Sequence, residues 1–286
     1  MTWLPADIDA FLADAGPVAC VKITKVAGSS PREVGAWMLV SQSGMIGTIG
    51  GGQLEYMAID EARAQLQRDE DHGVMDIPLG PEIGQCCGGR VGLSITRLGG
   101  EERQVLLRRV AGEREQFPMV YIFGAGHVGR ALAKALTLLP VRLLLVDSRA
   151  DELKLADDAI PRMHTPLPEA VVRDAEPNSA FVVLTHDHSL DFLICREALL
   201  RGDAAYVGMI GSKTKRASFR RWCASLKNDV PSNDTELVCP IGAGFSTDKR
   251  PEVIASFVAA EIMGRLTADV VKPPSVQAEG KTASSR

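Results

Sequence analysis

The sequence predicts an α/β protein in which an N-terminal α+β domain precedes a Rossmann-like, doubly wound parallel-sheet domain. From Pro118 onward, uniformly apolar strands alternate with helices, the pattern of a parallel sheet covered on both faces. The first of these strands, Met119 to Phe123, runs into Gly124-Ala125-Gly126-His127-Val128-Gly129, a glycine fingerprint in its strand–turn–helix context. Before Leu98, strands dominate around a single helix, so the two halves of the chain follow different plans.

In chain order, Val18 to Val26 is a β-rich run, and Ala36 to Ser41 with Met45 to Ile49 forms a hairpin about Gln42-Ser43-Gly44. Gln53 to Arg68 sets Leu54, Met57, Ala58, Ala62 and Leu66 at helical spacing. Val74 to Pro78 and Arg90 to Leu98 are further strands, completing a first domain over residues 1–98. Residues 99–117, rich in Glu and Arg and punctuated by glycine, are expected to be a linker whose Val105-Leu106-Leu107 patch matches a short strand. The second domain, residues 118–270, has strands at 119–123, 141–146, 180–185 and 204–210. Helices are expected at 127–139 and 190–201, with no definite pattern from 147 to 179. Lys213 to Leu226 and Pro251 to Leu266 read as closing helices, the latter with proline in its first turn. Residues 271–286 lack anchors for a core and are expected to be disordered.

A chain of 286 residues, 45% of them hydrophobic, suits about two domains with real cores. Its net charge of −4 provides no long-range attraction for nucleic acid or an anionic membrane, so recognition of a phosphate must come from local groups. The expected partners are proteins or small molecules. No run of about 18 apolar residues appears, and Met1 to Asp9 has neither a basic region nor a long apolar one; the expectation is a cytoplasmic protein. Six cysteines are too few for a disulfide framework, no pair has the CxxC spacing of a zinc site, and only His186 and His188 cluster among the five histidines. Reduced thiols and no structural metal follow.

Gly124 permits the tight turn, Gly126 lets a phosphate approach the backbone, and Gly129 permits close helix–sheet packing. With the helix N-terminus starting at His127, these residues read as an anion site in preference to a structural turn with no ligand, and Asp147 ends the next strand where a ribose hydroxyl is often bound. His186 and His188 flank Asp187 after another strand of the same sheet. They read either as a proton shuttle or metal ligands, or as polar capping groups, and Asp191 is a further candidate to complement that helix. In the first domain, Gly50-Gly51-Gly52-Gln53 before a helix is either an anion cradle or a plain turn. Gln85-Cys86-Cys87-Gly88-Gly89-Arg90 sets two thiols beside a guanidinium, a soft thiolate site or simply buried cysteines. Arg32, after Gly28-Ser29-Ser30-Pro31, is an anion-binding candidate or a solvated surface group.

Together these phrases resemble the xanthine dehydrogenase accessory proteins of the XdhC and CoxI type. The resemblance spans nearly the whole chain and is carried by Gly28 to Arg32, Gly47 to Glu55, Gln85 to Gly89, Phe123 to Gly129, Thr185 to His188, and Tyr206 to Ser212 with Lys215-Arg216. Pro240-Ile241-Gly242-Ala243-Gly244-Phe245 departs from the family's phrase. The resemblance implies a binding and insertion factor: a chaperone, expected to be a homo-oligomer such as a dimer, that holds molybdenum cofactor in its molybdopterin form while a cysteine desulfurase installs the terminal sulfur, then delivers it to apo xanthine dehydrogenase or a related molybdenum hydroxylase. The residues expected at the cofactor are Arg32, Gly50, Gly51, Gly52, Gln53, Cys86, Cys87, Gly124, Gly126, His127, Gly129, Asp147, His186 and His188, with Cys86 facing the molybdenum or its sulfur. No catalytic residue is assigned. The alternatives are an NAD(P)-dependent oxidoreductase using Asp147 for ribose and His186 or His188 as acid–base, and a regulatory adaptor with an empty scaffold.

Overall fold

The computed structural model describes residues 5–80, 88–226, 236–244 and 246–268, and the chain divides into two compact units, Met1–Gln116 and Phe117–Arg286. The first contains α1 (Pro5–Asp14), β1 (Val18–Ala27), β2 (Trp37–Ser41), β3 (Met45–Gly47), α2 (Gly52–Gln67), β4 (His72–Pro78), β5 (Arg90–Arg97) and α3 (Gly100–Glu115). Its strands form a sheet in the order β3-β2-β1-β5-β4, antiparallel throughout. Alternate residues of a strand face opposite sides, and β1 shows the result. Ala19, Val21 and Ile23 pack with Leu54, Ala58, Ala62 and Leu66 of α2, whereas Val18 and Cys20 lie with Ile8 and Leu12 of α1 and Leu106 and Val110 of α3.

The stretch expected to be a linker is therefore a helix of the first unit. Leu106 and Val110, one helical turn apart, are buried against α1, while the Glu- and Arg-rich remainder that suggests a linker is the exposed face. Arg103 of α3 donates to the carbonyl of Leu12 at 2.7 Å, tying the helices together. Helix α1 itself has no counterpart in the sequence reading, although Ile8, Phe11 and Leu12 carry the spacing.

The second unit contains β6 (Met119–Phe123), α4 (His127–Leu136), β7 (Arg142–Asp147), α5 (Ala150–Lys154), β8 (Arg162–His164), α6 (Pro168–Arg173), β9 (Ala180–Val183), α7 (His188–Arg201), β10 (Tyr206–Met209), α8 (Lys213–Ser225), β11 (Leu237–Val238) and α9 (Pro251–Leu266). The six strands are all parallel and ordered β11-β10-β9-β6-β7-β8, the arrangement of doubly wound dinucleotide-binding sheets. Val120 and Ile122 of β6 pack with α4 and α9 on one face. Tyr121 and Phe123 pack with α7 and α8 on the other. The strand order reverses between β6 and β9, so the crevice beyond their carboxyl ends is where a ligand of this fold collects. The elements α5, β8 and α6 fill the stretch without definite pattern; at three to six residues each, they are too short to establish a period.

Candidate functional site

The glycine turn lies at that switch point. Gly124 adopts φ 115°, and a Cβ there would collide with the carbonyl of Leu184, so the turn's first glycine is required both for its conformation and for the approach of β9. A Cβ on Gly129 would collide with the carbonyl oxygen of Gly124, so only glycine lets α4 begin this close to the turn. Gly126 differs: a Cβ there would meet nothing within 4 Å. Gly126 is also the N-cap of α4 and supplies no side-chain cap, leaving the helix's first N–H groups and partial positive charge facing open space. His127, the first residue of α4, is exposed.

Asp147 holds this turn from below. Its Oδ2 accepts from the Ala125 N–H at 2.7 Å and from Arg149 Nη2 at 3.0 Å, and its Oδ1 accepts from Arg149 N at 2.8 Å and Nε at 3.1 Å. Burial opposes the charge, but the Arg149 guanidinium and the two backbone N–H groups outweigh it and hold the carboxyl below the usual aspartate range. A carboxylate offers about four lone-pair sites, and all four are taken. Asp147 thus braces the loop, and no acceptor remains for a ribose hydroxyl. Arg130, reaching from α4, donates to the Ala125 carbonyl at 2.5 Å and pairs with Glu152 at 2.7 Å.

Across the crevice, the Leu184 N–H donates to the Phe123 carbonyl at 2.8 Å, which brings the segment after β9 beside the turn. Asp187 caps α7, accepting from the N–H groups of Ser189 at 2.7 Å and Leu190 at 3.3 Å. These bonds lower its pKa, and the capping role belongs to it rather than to Asp191. His186 and His188, on either side, are exposed.

Asp191 is fully buried. It accepts from Thr185 N at 3.0 Å and Thr185 Oγ1 at 2.7 Å and pairs with Lys215, whose Nζ also donates to the Ile210 carbonyl at 3.0 Å. Helical side chains lean toward the helix N-terminus, so Asp191 in the first turn of α7 and Lys215 in the first turn of α8 both reach back over the strand ends. That placement is the signal by which the sequence could have identified the pair. Cys195, below it, has its thiol pushed up by burial and by Asp191, which keeps it an inert core group.

In the first unit three glycine-bearing segments converge. Gly50 sits against the ring of Pro31, within 3.5 Å of Arg32 Cγ when a Cβ is placed on it. Ser29 bridges to Gly88, and a Cβ on Gly28 would lie 3.2 Å from Gly89 Cα. Gly50, Gly51 and Gly52 all have positive φ. Their loop is braced by Glu55, whose Oε2 accepts from Thr48 Oγ1 at 2.6 Å, Ile49 N at 3.0 Å and Gly51 N at 3.2 Å. Glu55 therefore occupies donors an anion would need, while Gly51 caps α2 without a side chain and Arg32 and Gln53 remain exposed. Cys86 and Cys87 lie outside the described residues. Among the described residues, no group of three or more His, Cys, Asp or Glu side chains could hold a metal, and no helix is long and apolar enough to cross a membrane.

Comparison with known proteins agrees with this fold. Residues 120–262 match the XdhC Rossmann domain, and residues 11–77 match the XdhC and CoxI family. The uncharacterized protein YqeB of Escherichia coli (strain K12) is 27% identical over 254 residues, which cover 86% of this chain and 43% of that protein; the chain spans less than half of that relative. A Bacillus halodurans protein described as a xanthine dehydrogenase has a crystal structure that aligns with TM-score 0.75 at 19% identity, covering 96% of this chain and 98% of its own. That likeness shows the fold.

Proposed function

The chain belongs to the XdhC and CoxI family, and on that premise we propose that it is a xanthine dehydrogenase accessory protein. In this reading it binds molybdenum cofactor in the molybdopterin form, holds it while a cysteine desulfurase supplies the terminal sulfur, and passes it to apo xanthine dehydrogenase or a related molybdenum hydroxylase. The supporting observation is the turn at the switch point: Gly126 opens onto free space and α4 begins without a side-chain cap. A phosphate group fits there, because backbone N–H donors and the helix dipole meet it directly.

When bound, the cofactor supplies the redox-active metal and its sulfur; the protein's own residues bind and shield. His127, His186 and His188 are exposed around the turn and the neighbouring strand end, and are the proposed contacts for the polar edges of a pterin. Cys86, with Cys87 beside it, is the proposed thiolate for the soft metal end. Arg32, Gly50 to Gly52 and Gln53 form a second candidate contact region in the first unit. The oxidoreductase reading draws no support from Asp147, whose acceptor sites are filled.

Purification after expression with the cofactor pathway active tests the reading. Co-purifying molybdenum and pterin fluorescence is the expected result. Bound nicotinamide with hydride-transfer turnover would replace this function with the oxidoreductase, and absence of any bound small molecule would favour an adaptor.

A further inference from the structure

A basic cavity in the second unit stands apart from the glycine turn. It has a volume of about 660 Å³ and runs along the edge strand β11, between α8 and the end of α9. Lys213, Arg216, Arg220 and Arg265 line it, and among the described residues no carboxylate does. Arg220 has a partner within the protein, so the argument rests on the other three, none of which pairs with a carboxylate among the described residues. Arg216 Nε is buried without a hydrogen-bond partner, a costly arrangement unless an acceptor arrives. Leu237, Val238, Pro240 and Ala243 add an apolar wall to the same lining.

We propose that this cavity is a second anion site, which takes a small phosphorylated molecule. Its phosphate lies among Lys213, Arg216 and Arg265, and its uncharged part lies on the wall beside Pro240. Guanidinium groups suit phosphate because they present paired donors in a plane, and Lys213 stands in the first turn of α8, where the helix dipole adds attraction. A protein strand adding to the sheet is disfavoured: β11 is two residues long, and Pro240 has no N–H to donate. The cavity lies three strand positions from β6, about 14 Å at ordinary strand spacing, so it is a different site from the turn.

Calorimetric titration of the full chain with inorganic pyrophosphate, in parallel with a hexaglutamate peptide, tests this. Gly126→Val disables the turn and is expected to retain pyrophosphate binding; adding Lys213→Ala and Arg265→Ala is expected to weaken that binding about tenfold or more. Lys213 and Arg265 are exposed, so the melting temperature should not move, and Arg265→Lys provides a charge-preserving control that retains binding. Loss of all pyrophosphate binding in Gly126→Val alone overturns the proposal, as does unchanged affinity in the triple variant. Binding of the peptide but not pyrophosphate overturns it in favour of an acidic protein segment. Failure of the turn reading shows separately, as unchanged molybdopterin retention in Gly126→Val.

Discussion

At the scale of single residues, the three glycines of one turn do three different things, and substitutions should separate them. Gly126→Val places its side chain in the space proposed for the phosphate. Cofactor content after identical purification should fall sharply, whereas the loss of stability should be about 1 kcal/mol, that of a poorer N-cap. Gly129→Ala drives a methyl into the Gly124 carbonyl and should reduce stability by about 1–3 kcal/mol, as overpacking does, read from denaturant melts. Equal cofactor content in Gly126→Val and parent would remove the turn from the binding site. Asp147→Asn weakens the brace and is expected to cost about 1–3 kcal/mol at pH 7, the range for hydrogen bonds to a charged group. Because the folded carboxyl titrates below its unfolded value, this contribution is complete above the ordinary aspartate range. It is lost as pH falls from about 4 through the lowered value, so the two melting curves should converge there. A constant gap down to the lowest accessible pH would show that the ionised form is not what matters.

At the scale of elements, the buried pair between Asp191 of α7 and Lys215 of α8 joins the two helix starts beyond β9 and β10. Removing one partner leaves an uncompensated buried charge, so Asp191→Asn and Lys215→Met should each cost about 3–5 kcal/mol. The double substitution should cost less than the sum, and a double-mutant cycle from urea melts provides the coupling. Additive losses would mean that the two groups act separately. The capping role of Asp187 is local by comparison, and Asp187→Ala should cost about 1 kcal/mol. The same scale exposes the misreading of residues 99–117. Charge density on α3 marks the side facing water, and its two buried residues, Leu106 and Val110, are too few to show a strong stripe before α1 is there to receive them.

At the scale of the whole molecule, the proposed chaperone must retain a cofactor with a hard phosphate end and a soft metal end. Cys86→Ser replaces a soft, ionisable ligand with a hydroxyl of similar size, and is expected to lower molybdenum content while leaving the melting temperature nearly unchanged. Should Cys87→Ser alone have that effect, the assignments of the two thiols exchange. Normal molybdenum content and normal activation of apo xanthine dehydrogenase by the double substitution would end the thiol hypothesis. The unmodified protein is expected to show no hydride transfer with nicotinamide and small alcohols or aldehydes.

The sequence by itself determined most strands, helices α2, α4, α7, α8 and α9, the change of plan between the two units and the position of the glycine turn. Those features are local: apolar period, proline and glycine stereochemistry, and strand–turn–helix order are properties of a dozen neighbouring residues. Helix α9 spans Pro251–Leu266, the range its apolar pattern and first-turn proline indicate. Only the tertiary structure decided which polar groups are already engaged. Asp147 reads as a ribose acceptor until Arg149 and the Ala125 N–H are seen on its oxygens. Asp191 reads as a cap until Lys215, 24 positions away, meets it in the core. Likewise, the gathering of Lys213, Arg216 and Arg265 around one cavity beside β11 and the end of α9 has no local signal in the sequence. A charged side chain has the same local pattern whether it faces water, a partner or a cavity, and the difference resides in desolvation and pairing between residues that only folding brings together.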